Sequence, residues 1–492
     1  MILARCPPVI RCAAICLLAL LAGCAVGPDF KKPEAPRTSG YGPSAPAATS
    51  ASAVPGEKAQ HFVAGLDIPG QWWTLFHCRP LNDLIERSLT RNPDVKAAQA
   101  ALTAARELTL AQRGASAPSL DAAASVSRQK TSEDLSATPS SGALDFTVYT
   151  AQLNVSYVPD VFGLNRRTVE SLNARAEQAR FAVAAAHLTL SSNLAVAAVQ
   201  EAMLRAQIAA TGELIRLNAE SLRVLRSQYE KGYAGRLEVA AQEAQLAQVS
   251  ATLPALEKQL ALQRHLLTAL SGALPDEGLR ETFELTGIEL PEELPLSLPS
   301  RLIEQRPDVR QAEENLHAAS AEIGVAVANR LPNISLTANL GSSAVGAGGL
   351  FAGGTNFRDI GAGLTQPIFH GGTLLHEERA VRAAYREAVE QYRGTVLTAF
   401  QNVADTLTAL EKDADALKAA AAAEQAAGVT RELTRKQWQS GYAGYLALLS
   451  AEQAYEQALL NRILAQASRY TDTVALFQAF GGGWWNTDLA RD

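Results

Sequence analysis

The chain repeats itself. Asn92-Pro93-Asp94-Val95 returns 214 residues later as Arg306-Pro307-Asp308-Val309, and Ala115-Ser116-Ala117-Pro118-Ser119-Leu120 aligns with Asn329-Arg330-Leu331-Pro332-Asn333-Ile334 at the same offset. Gly232-Tyr233-Ala234-Gly235-Arg236-Leu237 returns 209 residues later as Gly441-Tyr442-Ala443-Gly444-Tyr445-Leu446. Three matches in one order make the chain two copies of one unit, so any fold must be built twice from the same parts. Pro275, Pro291, Pro295 and Pro299 interrupt any helix between the copies. The segments 61–272 and 301–480 are therefore read as the two repeats, 273–300 as the linker and 481–492 as a C-terminal tail.

Each copy has one layout: helix, strand pair, long helical stretch, glycine turn, helix. From Leu164 to Tyr229 there is no proline and only Gly212 as a breaker. A single helix over that stretch is on the order of 100 Å long. Leu253, Leu256, Leu260, Leu267 and Leu270 follow three–four spacing with Gln263 in the vacant slot. Val396, Phe400, Val403, Leu407, Leu410, Ala414 and Leu417 follow it without a gap. That spacing is a coiled-coil seam. Pro254 predicts a kink in the helix that carries it.

The strands alternate instead. Thr147, Tyr149, Ala151, Leu153, Val155 and Tyr157 form one face, against Val148, Thr150, Gln152, Asn154 and Ser156. Leu120, Ala122, Ala124 and Val126, then Ile334, Leu336, Ala338 and Leu340, and more weakly Ile360, Ala362 and Leu364, repeat the pattern. Runs of about 8–11 residues suit membrane-spanning strands, with Tyr149 and Tyr157 at the two interfaces, though a half-buried soluble sheet reads alike. Four spanning strands do not close a barrel, and open edges are not tolerated in lipid. Spanning therefore requires several chains to share one barrel.

The leader agrees with an exported chain. Arg5 and Arg11 precede the short apolar run Ala13 to Leu21, which ends in Leu21-Ala22-Gly23-Cys24, like a lipobox. Residues 1–23 are read as a lipoprotein signal peptide, Cys24 as the lipid attachment site, and 24–60 as a lipid-anchored extended tether rich in Pro, Ala, Ser and Gly. Of the five cysteines, Cys6, Cys12 and Cys16 lie in the leader, which leaves Cys78 as the one free thiol once Cys24 is acylated. The net charge of −6 argues against a nucleic-acid binder. A mean hydropathy of −0.02 excludes a bundle of membrane-spanning helices.

Taken together, these segments resemble the outer-membrane factors, the TolC-like outer-membrane efflux proteins, in their NodT-type lipoprotein branch. The resemblance is carried by Cys24 to Phe30 with Lys31-Lys32-Pro33, Trp72-Trp73 with Phe76, Pro80 to Ile85, and Asp160-Val161-Phe162-Gly163. It continues through Gln366 to Gly372, Gly441 to Ala451, and Ala479 to Trp484. It implies a mixed, mainly α fold with two structural repeats per chain. Three chains would form a twelve-stranded transmembrane β-barrel, four strands each, continuous with a long α-helical coiled-coil tunnel in the periplasm. It also implies an equatorial belt built from the termini and the linker. The implied function is passive conduction of drugs or other small molecules from a periplasmic adaptor and an inner-membrane pump across the outer membrane. The implied partners are two further copies of the chain, the adaptor, the pump and outer-membrane lipid, without nucleic acid. Ala25, where inner-membrane lipoproteins often carry Asp, agrees with the outer membrane.

On this resemblance the turns Gly232-Tyr233-Ala234-Gly235 and Gly441-Tyr442-Ala443-Gly444 are periplasmic tips that contact the adaptor. Leu446 and Ser450 fall at the periplasmic gate. Ser450 stands where relatives commonly carry an acidic residue, so the gate is expected to be mainly apolar. His370 stands where relatives often have Asp. His376-Glu377-Glu378 lacks the spacing of a zinc helix. No nucleophile elbow, Walker sequence or dinucleotide fingerprint occurs, so neither an enzyme, a metal site nor a cofactor beyond the lipid on Cys24 is expected. Trp72, Trp73, Trp484 and Trp485 are expected to cluster in the belt. The alternative function is a lipid-anchored periplasmic coiled-coil structural protein with a soluble β-domain and no channel.

Overall fold

The computed structural model describes residues 25–36, 38, 40, 41, 48–51, 58–130 and 145–490. The signal peptide and Cys24 lie outside the described residues. Four pairs of corresponding elements in the two repeats have equal length. Helices α2 (Pro93–Gly114) and α6 (Pro307–Ala328) have 22 residues each. Strands β2 (Ser119–Lys130) and β5 (Asn333–Ala344) have 12 each. The long helices α3 (Leu164–Glu230) and α7 (Thr373–Gln439) have 67 each, and α4 (Arg236–Leu270) and α8 (Tyr445–Ala479) have 35 each. The second strands differ: β3 (Asp145–Tyr157) has 13 residues and β6 (Asn356–Thr365) has 10. Helix α1 (Arg79–Arg91) precedes α2, α5 (Pro299–Gln305) precedes α6, and β1 (His61–Ala64) and β4 (Glu293–Leu296) are short. Gly212 does not break α3, and α4 continues through Pro254 without interruption.

The chain divides into two compact units. One comprises Met1–Pro33, as far as it is described, with Leu102–Gln178 and Ala312–Tyr392. The other comprises Glu34–Ala101, Ala179–Gln311 and Arg393–Asp492.

The first unit carries an antiparallel sheet in the order β2-β3-β5-β6. Its register turns four separate alternations into one continuous apolar face, because cross-strand partners share a face. Leu120, Val155, Ala338 and Ile360 form one row of direct partners, and Ala122, Leu153 and Leu340 the next, which ends in Arg358 of the edge strand β6. Leu120, Val126, Leu153, Leu336, Leu340, Ile360 and Leu364 are all exposed on this face. A soluble sheet would cover them; a lipid-facing one leaves them bare. From Tyr149 to Tyr157 the face spans about 26 Å at the usual strand rise, which matches a lipid band. Charges stay near the strand ends: Arg128 pairs with Asp145 at 2.9 Å. Arg358, two residues into β6, is opposite Leu340 and long enough to reach the interface. The opposite face carries Asn154, Asn339 and Asp359 in one row with Asp121.

The second unit has an aromatic and aliphatic core. β1 pairs in parallel with β4, joining the N-terminal segment to the inter-repeat linker. Trp72 stacks on Phe477 with 5.3 Å between centroids, and Trp484 meets Phe181 edge-on at 5.4 Å. The tryptophans thus form two aromatic groups, Trp72 with Trp73 and Trp484 with Trp485, rather than one cluster. Trp485 donates to Asp67 at 3.0 Å and Arg306 to the Ala479 carbonyl at 3.1 Å, which ties the C-terminal tail and α8 to the same region. The seam on α7 is buried at Val396, Val403, Leu407, Leu410, Ala414 and Leu417. The vacant slot on α4 is used for polarity: Gln263 donates to the Ala197 carbonyl of α3 at 3.0 Å.

Leu153 lies at the centre of the apolar face. Leu153→Arg is expected to cost about 2–4 kcal/mol of membrane-inserted stability and to lower the yield of assembled protein in outer-membrane fractions, read by heat-modified gel mobility. Unchanged yield would mean that the face does not meet lipid.

Candidate functional site

Both tips end their long helices in the same way. Gly232 takes φ +79° and Gly441 φ +76°, conformations that a side chain resists. At the first tip Tyr233 N–H donates to the Gln228 carbonyl at 2.8 Å and Gly232 N–H to the Tyr229 carbonyl at 2.9 Å. At the second, Tyr442 N–H donates to Gln437 at 2.8 Å and Gly441 N–H to Trp438 at 3.0 Å. This paired pattern closes the orphan carbonyls of the helix end and reverses the chain. Gly235 and Gly444 are the N-caps of α4 and α8, and Glu238 accepts from Gly235 N–H at 2.8 Å. Tyr233 and Tyr442 project into solvent from the two turns.

Behind the turns, Leu225, Tyr445, Leu448 and Leu449 form a buried cluster against which Ala234, Val239, Ala241 and Trp438 pack. Leu446 and Ser450 sit one helical turn apart on the other side of α8, both exposed, Leu446 by 53%. The structure therefore groups the two predicted gate residues on one face and separates them from the packed Tyr445, Leu448 and Leu449.

Below the cluster lies a polar network that the motifs did not reveal. Tyr445 Oη donates to Gln242, whose Nε2 donates to the Asn218 carbonyl at 2.9 Å and to Asn218 Oδ1 at 3.0 Å. Asn218 Nδ2 donates to Glu456 at 2.9 Å, Gln245 donates to Glu456 at 3.1 Å, and Gln453 donates to Gln245 at 2.6 Å. Arg435 donates to Glu452 at 3.2 Å. The bonds of Tyr445, Gln453 and Glu456 join α8 of the second repeat to α3 and α4 of the first, and the Arg435–Glu452 bond joins α7 to α8. Burial pushes the Glu452 carboxyl above its ordinary value, against the opposing pull of Arg435. Burial also raises Glu456, with the neighbouring Glu452 charge adding to the rise and the Asn218 and Gln245 bonds opposing it. The one hint in the sequence is Gln242, Gln245 and Gln453 within coiled-coil stretches, where apolar residues are usual.

The N-terminal segment is extended, but it is docked rather than loose. Val26 N–H donates to the Phe162 carbonyl at 3.1 Å, and Arg167 donates to the Val26 carbonyl at 3.0 Å and to Asp29 at 2.8 Å. Phe30 stacks on His317 at 4.3 Å, and Lys32 lies 3.7 Å from the buried Glu313. A Cβ on Gly163 would come within 2.8 Å of Ala25, so the residue after Cys24 packs against the loop between β3 and α3. His370 is exposed in the matching loop after β6. Glu378, beside His376, is bound by Arg330 and by Arg382 at 2.9 Å. Among the described residues no group of three His, Cys, Asp or Glu side chains is arranged to hold a metal.

Residues 84–273 and 298–482 match the family model for outer membrane efflux proteins. The chain belongs to that family. It is 31% identical over 475 residues to the toluene efflux pump outer membrane protein TtgC of Pseudomonas putida, covering 95% of this chain and 94% of that protein. The solved outer-membrane channel OprN matches with a TM-score of 0.84 at 25% identity, covering 94% of this chain and 100% of that one. VceC of Vibrio cholerae matches with a TM-score of 0.79 at 29% identity, covering 85% and 100%. The chain is the outer-membrane channel component of a tripartite efflux system in a Gram-negative bacterium. Its fold is that of the TolC-like trimers, whose shared twelve-stranded barrel takes four strands from each chain and continues into an α-helical periplasmic tunnel. This family is one of channels, not enzymes, and the anchored structural protein without a channel is set aside.

Glu452, which is buried, and Glu456, which is half-buried, set a pH dependence. A carboxyl raised in the folded state binds its proton more tightly there, so its contribution to tip stability is lost as pH rises from the ordinary glutamate range through the raised value. Glu456→Gln keeps an acceptor for Asn218, presents an amide N–H group to Gln245 in the place of the second oxygen, as the protonated acid presents its O–H, and removes the half-buried charge. Amide exchange at the ends of α3 and α8 is expected to slow at pH 8 in this variant and to equal the parent at pH 4. Faster exchange at pH 8 would contradict the assignment. Tyr445→Phe leaves Gln242 short of a donor and should loosen the same segment by about 1–3 kcal/mol.

Proposed function

We propose that the channel conducts organic small molecules passively, without bond chemistry, and that its periplasmic end is gated by Leu446 and Ser450. The observation that carries the gate is the shared exposed face of these two residues, one turn apart at the start of α8. In a trimer, threefold repetition of that face gives a ring of leucines beside a ring of hydroxyls. Apolar constrictions oppose ions by dewetting, and hydroxyls select far less by charge than carboxylates do. The named cargo of TtgC, toluene, supports an apolar organic cargo here as well.

The tips Gly232-Tyr233-Ala234-Gly235 and Gly441-Tyr442-Ala443-Gly444 are proposed to receive the periplasmic adaptor, with an inner-membrane pump behind it. Their solvent-facing tyrosines support this, since aromatic side chains are favoured anchors at interfaces. The mature chain is proposed to begin at Cys24 bearing a covalent lipid. The position of Ala25 beside the β3–α3 loop supports this, because it brings the acyl chains to the end of a spanning strand.

Conductance of the purified channel in planar bilayers tests the gate. Leu446→Ala is expected to raise single-channel conductance, and Ser450→Asp to shift the reversal potential toward cation preference. Parent-like values in both variants would move the constriction elsewhere. Intact-mass analysis of the membrane-extracted chain is expected to show acyl mass that Cys24→Ser lacks.

A further inference from the structure

The two β-hairpins are one hairpin copied by translation. Ser119 is opposite Ser156 in the first, and Asn333 is opposite Thr365 in the second. The first arms are related by 214 residues and the second arms by 209, the same offsets that relate the sequence repeats. Between the hairpins lies a third pairing, β3 with β5, which joins the second strand of repeat one to the first strand of repeat two. In a closed ring of alternating repeats, the second strand of repeat two must meet the first strand of repeat one in the next chain. We infer that the seam between chains is a translated copy of the β3–β5 pairing, and that it seats Ile368 and Phe369 beside Leu120 of the partner subunit. The inference rests on the shared barrel and goes beyond it to a register and a contact.

The translation has definite content. Carrying β3 forward by 209 and β5 back by 214 turns Ser156–Thr337 into Thr365 opposite Ala123 of the partner subunit. Asn154–Asn339 becomes Gly363 opposite Ser125 of the partner subunit, and Gln152–Gly341 becomes Gly361 opposite Ser127 of the partner subunit. Face parity agrees. Gly361 and Gly363 lie on the polar face with Thr337 and Ser335, and Ser125 and Ser127 lie on it with Thr150 and Val148. A slip of one residue would turn every side chain of the partner strand to the wrong face, so only slips of two compete.

The loops follow the strands. Gly163 at φ +80° ends the loop before α3, and Gly372 at φ +89° ends the loop before α7. Within the chain, Pro159, Asp160 and Val161 of the first loop line a cavity with Ala328, Pro332 and Ile334. Translation places Ile368, Phe369 and His370 against Gly114, Pro118 and Leu120 of the partner subunit. In the single chain Ile368 is 93% exposed, Phe369 85% and Leu120 66%. Their burial against each other gives these side chains the cover that the corresponding loop finds within its own chain.

The test uses the full-length channel in native membranes, in a Cys78→Ser background. Facing strand residues have Cα atoms roughly 4.5–5.5 Å apart, within disulfide reach, whereas those displaced by two residues lie at about 7–8 Å. Gly363→Cys with Ser125→Cys is expected to give covalent trimers on non-reducing gels. Gly363→Cys with Ser127→Cys, or with Ala123→Cys, is expected to give far less. Preferred cross-linking of a displaced pair would overturn the register. A trimer by native mass that no pair cross-links would overturn the seam while sparing the shared barrel, and a stable monomer would overturn the barrel itself. A benzophenone side chain at Phe369 is an independent measurement. An adduct within residues 114–120 of another chain supports the contact, and adducts only to lipid or to its own chain refute it.

Discussion

The free edges of the sheet are the constraint on which the rest depends. Among the described residues β2 and β6 have a partner on one side only, and in hydrocarbon an unpaired row of N–H and C=O groups is prohibitively costly. One chain cannot close four strands on themselves. Assembly is therefore built into the strand count, and the bare apolar face becomes a lipid-facing surface instead of an aggregation hazard. The equality of the repeats makes closure possible, because each seam can use the same geometry.

The same repetition shapes the helical parts. Helices of 67 and 35 residues recur in both copies, so each tip is a reversal at the same distance along its repeat. What differs is the chemistry behind the turns. The second tip supplies Tyr445 and Glu456, and the first supplies Gln242, Asn218 and Gln245 as their partners, while Glu452 is held by Arg435 of its own repeat. Carboxylates held in a half-buried polar network leave the tip less stable than an apolar seam would.

The N-terminal segment shows what composition leaves open. An extended tether is legible in it, but not that residues 26–32 are fastened by Arg167, His317 and Glu313. The holding groups belong to α3 and α6, far away in sequence, and nothing local in the segment announces them. The tryptophans are the reverse case. Burial near the chain ends was legible, but their division into two aromatic groups depends on which ring Phe477 and Phe181 each meet.

By itself the sequence determined what is periodic. The repeat, the alternation that makes strands, the coiled-coil seam on α7 and the glycines that permit a left-handed reversal at each tip are all local or translational patterns, and local sterics and hydrophobic spacing suffice to set them. Tertiary structure alone decided what depends on register and on partners from distant segments. That includes the merging of four half-apolar strands into one face, the setting of Leu446 and Ser450 opposite a packed Tyr445, and the polar network across both repeats. The physical reason is that a side chain's face is set by its own backbone, whereas its partner is set by how the whole chain closes.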